Sequence, residues 1–147
     1  MARKPGKIRE AKGAAALAKA EYEALAAFRY TLRHFLDFSQ SAAEGAGLTA
    51  QQHQALLAIK GYPGREVVSV GELAERLAIR HNSSVELIDR LAAQGLIERR
   101  HDATDRRLVL LALTPKAECL LAELSAAHRD ELRRLRPTLT ELLDRLS

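Results

Sequence analysis

SVGELAERLAIRHNSSVELIDRLAAQGLIERRHDATDRRLVLLALT, running from Ser69 to Thr114, holds two short amphipathic helical patterns. A run alternating apolar and charged residues follows from Leu96, then a polar, Arg-rich turn, then a run of aliphatics. Helix, turn, helix, strand, turn, strand is the plan of a winged helix-turn-helix. Ser69 and Glu72 form an S-x-x-E capping box, so a helix is predicted to begin at Val70. Leu73, Ala74, Leu77 and Ala78 give it an apolar face. Arg80 and His81 fall in the turn. Ser83 and Glu86 make a second box, which predicts a second helix from about Asn82 or Ser83. Gly95 is placed to end it, because glycine accepts positive φ without strain.

The second helix has two registers. Leu87, Ile88 and Leu91 face the core in both. We take the one that continues this face back to Ser84, a small residue where two helices approach closely. It turns Asn82, Val85, Glu86 and Asp89 outward. There Asn82 can pair with adenine, Val85 can touch a thymine methyl, and Glu86 can accept from cytosine while repelling phosphates. The other register buries Val85 and exposes Ser84.

The turn HDATDRR carries Asp102, Asp105, Arg106 and Arg107, beside Arg99, Arg100 and His101. An arginine at a wing tip can enter a narrow, electronegative minor groove. A nearby Asp can hold its guanidinium in a bidentate fork and aim it. A solvated hairpin tip with weak surface ion pairs is the competing interpretation. The preceding helix-turn-helix favours DNA.

ELAERL, IDRLAAQGLIERR and DATDRRLVLLALTPKA resemble the MarR family of transcriptional regulators. Asp105 and Arg107 match that family's D-x-R wing motif. LTAQQHQALLAI, from Leu48, is similar to its second helix, and the resemblance runs from about Ala16 onward. It implies a mainly α fold with a small β-wing and a homodimer formed by the N- and C-terminal helices. It implies a cytoplasmic, sequence-specific regulator of transcription on a pseudo-palindromic operator, a repressor relieved by a small aromatic ligand. The DNA-binding set is then Arg80, His81, Asn82, Ser83, Val85, Glu86, Arg99, Asp105, Arg106 and Arg107. Tyr30, His34, Phe38 and His53 are candidates to line a ligand cleft; ordinary helix packing competes for each. Many relatives carry Thr and a basic residue where Val85 and Glu86 stand. The family's peroxide sensors have a reactive Cys in the first helix, and this chain has none there.

The flanks complete the plan. Residues 1–13 read as a flexible basic arm and 14–147 as one protomer. Within it, 14–47 and 115–147 form the helical dimerisation region and 48–114 the DNA-binding region. From about Ala14 to Ala43, Leu25, Phe28, Leu32 and Phe35 or Leu36 recur at helical steps, and Gly45 and Gly47 close the pattern. Thr49 with Gln52 caps the next helix, and Glu66–Val68 is an extended piece able to pair with the wing. Thr114 and Pro115 open the last helix. Pro137 predicts a break or kink near it, before a short amphipathic tail with Leu139, Leu142, Leu143 and Leu146.

Composition bounds the rest. The chain has 147 residues, and its 23 basic against 19 acidic residues leave +4. That modest excess suits nucleic acid without demanding it. The single Cys119 rules out an internal disulfide and is expected to be a small buried hydrophobe. No run is long and apolar enough for a membrane span, and no secretory signal is read at the N-terminus. No phosphate loop, CxxC or HExxH occurs, so neither an enzyme nor a cofactor is expected. The five histidines show no metal-ligand spacing, so no metal is expected either. Two other classes remain open: a winged-helix protein-interaction module, and a protein that sequesters a ligand or metal.

Overall fold

Residues 15–147 are described in a computed structural model. The arm expected over 1–13 lies outside them. The chain folds as α1 (Lys19–Gly45), α2 (Ala50–Lys60), β1 (Val67–Ser69), α3 (Val70–Leu77), α4 (His81–Ala93), β2 (Ile97–His101), β3 (Val109–Leu113) and α5 (Pro115–Asp144). Strand order is β1-β3-β2, antiparallel throughout. This is the winged helix-turn-helix that the sequence predicts, with two long helices packed against each other beside it.

Local chemistry sets most boundaries. Thr49 accepts from the Gln52 N–H (3.1 Å) while the Gln52 amide oxygen accepts from the Thr49 N–H (3.0 Å). Ser69 and Glu72 repeat the device at 3.2 and 2.9 Å. Each box satisfies two backbone donors that a helix start leaves without partners. The serine bond to the Glu72 carboxylate also holds that group below its usual range, with Arg65 adding to the effect. Thr114 caps α5, with Pro115 at its first position. Glu66 itself stays outside β1, whose Val67 pairs with Ala112 of β3.

One core joins all the elements. Leu56, Ile59, Leu73, Ile88, Leu91, Leu96, Leu111 and Val68 are fully buried. Each such aliphatic side chain contributes roughly 1.5–3 kcal/mol on leaving water. Leu87, Ile88 and Leu91 point into this core together with Ser84, whose hydroxyl donates to the Val70 carbonyl at 3.4 Å. The first of the two registers is therefore the one adopted, and Val85 stays 38% exposed.

Four expectations are corrected. α4 begins at His81, with Arg80 as its N-cap and no side-chain cap. Ser83 is thus inside the helix and caps nothing, and His81 is helical instead of lying in the turn. Ala78 does not extend the apolar face of α3. It sits just past the helix end at φ 52°, exposed. α5 continues through Pro137 to Asp144 without a break. The carbonyl that loses its donor there, on Arg133, belongs to an exposed residue and can bind water, which lowers the penalty. Cys119 is exposed. It stands two residues from both Ala117 and Leu121, which define the buried stripe, and so points off that stripe.

Candidate nucleic-acid interface and an adjoining cavity

The outer face of α4 is made by what the core leaves over. With Ser84, Leu87, Ile88 and Leu91 turned inward, Asn82, Ser83, Val85, Glu86 and Asp89 face solvent. Arg80 and His81 are exposed at the helix start. With no side-chain cap, N–H groups of the first turn remain free for an outside acceptor, and the helix dipole favours an anion there. Gly95, at φ 68°, follows the C-cap residue Gln94 and turns the chain into β2.

The wing tip is built by its own acidic residues. The Asp102 carboxylate accepts from the Thr104 N–H (3.2 Å) and hydroxyl (3.3 Å). The Asp105 carboxylate accepts from the backbone N–H (3.1 Å) and the Nε–H (3.2 Å) of Arg107. The expected two-pronged fork is therefore a backbone bond plus one guanidinium bond to a single oxygen. The rest of the guanidinium stays free, and the side chain is 93% exposed. His101 donates through Nδ1 to the Arg106 carbonyl at 3.0 Å. Arg106 and Arg80 form no ion pair among the described residues. Arg99 is different, because it pairs with Asp89 of α4. It straps wing to helix instead of standing free. Arg100 pairs with Glu98 at 3.0 Å.

A second feature lies where α1, α2 and α5 meet. A cavity of about 840 Å³ is walled by Phe35, Leu36, Leu57, Leu132 and Leu139, with Arg129, Arg133 and Arg136 along one helix face. His53 and His128 line it with their rings 4.9 Å apart. His128 donates through Nδ1 to the Leu124 carbonyl (2.6 Å), which leaves Nε2 to accept from the Ser39 hydroxyl (2.7 Å). His53 is only 4% exposed, and its Nδ1 has no partner. Burial, and then the neighbouring His128, push its pKa below the ordinary imidazole value.

Of the four candidate cleft residues, His53 alone lines this cavity. Tyr30 and His34 meet on the exposed side of α1 with their rings tilted 60° and centroids 4.3 Å apart. Phe38 meets the His128 ring edge at 5.4 Å without lining the space. The sequence did not mark His128, Ser39 or the three arginines. The i, i+4, i+7 spacing of Arg129, Arg133 and Arg136 was the available signal.

Residues 46–108 match the MarR family model. The HTH-type transcriptional repressor MdtR of Bacillus subtilis is 31% identical over 98 residues, which is 67% of this chain and 61% of that protein. The chain thus spans about three fifths of that relative's length. A mutant of S. aureus MepR, solved bound to an oligodeoxyribonucleotide, superposes with a TM-score of 0.67 at 20% identity. That match covers 86% of this chain and 98% of MepR. AbsC, a MarR family transcriptional regulator from Streptomyces coelicolor, gives 0.65 at 19% identity over 82% of this chain and 81% of its own. These two likenesses establish the fold, and the family match and the curated relative support the MarR family for this chain.

Proposed function

We propose that this protein is a homodimeric, sequence-specific double-stranded DNA-binding regulator of transcription, working in the cytoplasm as a repressor that a small ligand relieves. The observation that carries it is the solvent face of α4 strapped to an arginine-tipped wing through Asp89 and Arg99. In this reading Asn82, Ser83, Val85 and Glu86 meet base edges in the major groove. Arg80 and His81 meet phosphate, and Arg107, steadied by Asp105 and helped by Arg106, enters the minor groove. MdtR, a repressor by name, and MepR, solved with an oligonucleotide, lend support. No catalytic role is proposed.

Leu17, Tyr22, Leu25 and Leu32 of the N-terminal segment, with Leu143 and Leu146 at the other end, are exposed apolar residues. A second copy would cover them, and its α4 would then lie about 34–36 Å away, one helical turn along the duplex. The α1–α2–α5 cavity is the ligand site in this reading, sitting between the dimer helices and the DNA-reading unit. A ligand there acts by its differential affinity for the free and DNA-bound arrangements.

Selection of duplexes from a random pool, followed by anisotropy titration at several salt concentrations, tests this. A pseudo-palindromic winner is expected. Arg107→Ala should weaken binding to it by about 1–3 kcal/mol with the dimer intact. Unchanged affinity removes the wing from the site. A second reading, a winged-helix protein-interaction module, draws on Glu86, an acidic group exposed on the groove face. It predicts no enrichment, and weak binding that vanishes with modest salt.

A further inference from the structure

Between His81 and Leu113, α4 and the wing carry five acidic residues, and four of them are engaged. Asp89 pairs with Arg99, Glu98 with Arg100 and Asp105 with Arg107. Asp102 accepts from Thr104. Glu86 is the fifth. It is exposed and forms no ion pair among the described residues. Arg90 stands four residues on, the order in which such a pair helps a helix most, yet the two do not pair. Asn82 and Ser83, one turn before it, and Val85 beside it are uncharged. The outer face of α4 therefore holds one uncompensated negative charge, on the surface assigned above to a polyanion.

We propose that Glu86 is the discriminator of this face: it repels duplex in general and is accommodated only where a cytosine presents its N4 amine, so that each operator half-site carries one obligatory C·G pair. The proposal rests on the DNA-binding reading above and adds the base that is selected and the means of rejecting the others. A carboxylate can only accept hydrogen bonds. In the major groove the donors are the N4 amine of cytosine and the N6 amine of adenine. Adenine's amine lies between two acceptors, its own N7 and the O4 of the paired thymine. Cytosine's amine has the O6 of guanine on one side and the C5–H edge on the other, so a carboxylate can reach it from that edge. Guanine and thymine present acceptors and repel it. Arg80, Arg106 and Arg107 supply attraction to any sequence, and Glu86 subtracts from that attraction wherever the cytosine is missing. Specificity is a difference of affinities, and here the rejected duplexes are made weaker.

Glu86→Gln tests this, because it keeps the shape of an exposed side chain, removes its charge and favours adenine through N6 and N7. Both proteins are put through selection from a random pool, followed by anisotropy titration. The unaltered protein should select one invariant cytosine in each half-site, and replacing that C·G pair by A·T should weaken it by about 5- to 150-fold. In Glu86→Gln that position alone should move to adenine, with the order of the two duplexes reversed. The variant should also bind a random-sequence duplex on the order of threefold more tightly at low salt, a gain that shrinks as salt rises. The same pseudo-palindrome with cytosine retained in Glu86→Gln overturns the assignment of the base to Glu86 and leaves the regulator standing. Unchanged affinity for random duplex overturns the repulsive role. No enrichment with either protein overturns both the proposal and the DNA-binding reading.

Discussion

At the scale of single residues, His53 has a consequence for stability apart from any ligand. Its pKa is lowered in the folded chain, so the unfolded chain binds more protons in the interval below the ordinary value of 6.5. Stability is full above that value, falls as pH drops through the interval, and levels off below the folded pKa. A thermal midpoint that declines from neutral pH toward pH of about 5 is expected, with a shallower decline in His53→Leu. Equal declines in the two proteins would place the acid sensitivity elsewhere. Sequence could identify His53 as a candidate because it lies on a recognisable helix. It could not pair it with His128, since α3, α4 and the wing separate them along the chain and only the packing of α2 on α5 brings the rings together. The exposure of Cys119 is illegible for a similar reason: a neighbourhood of aliphatics does not say which face of α5 is inward.

At the scale of elements, hydrogen-bonding side chains at helix starts were legible and uncapped starts were not. The boxes at Thr49–Gln52 and Ser69–Glu72 are where their spacing put them. The box expected at Ser83–Glu86 failed because the Ser84 position is taken into the α3–α4 contact, which draws the helix start back to His81. Ser69→Ala should cost about 0.5–2 kcal/mol in chemical denaturation, since it strands one of the two donors satisfied by the box. The other end of α3 invites the opposite change. Ala78 holds a left-handed conformation at φ 52°, while its N–H and that of Ile79 bond back to α3 carbonyls. A Cβ there costs roughly 1–2 kcal/mol. The extra freedom of glycine in the unfolded chain returns about 0.4–1 kcal/mol of that. Ala78→Gly should therefore stabilise the protein by up to about 1.6 kcal/mol, and a lowered denaturation midpoint would refute the strain argument.

At the scale of the whole molecule, two helices of 27 and 30 residues are longer than the winged-helix unit needs. At about 1.5 Å per residue they reach roughly 40 and 45 Å. The apolar residues they leave exposed, Leu32 of α1 and Leu143 of α5 among them, stand apart from the core that holds α4 and the wing. Charging both, as Leu32→Glu with Leu143→Glu, should divide the proposed dimer in sedimentation without unfolding the winged helix-turn-helix. A single wing and α4 would then bind one half-site as before, because their contacts are untouched. Binding to the full operator should fall by about 100-fold or more, because the second half-site contact no longer benefits from being tethered to the first. The two duplexes thus separate the causes. Loss on both would mean that the substitutions damage the winged helix itself. Loss on the full operator alone would make the helical arms the element that turns two modest half-site readers into one selective regulator. An intact dimer would show that other residues carry the interface.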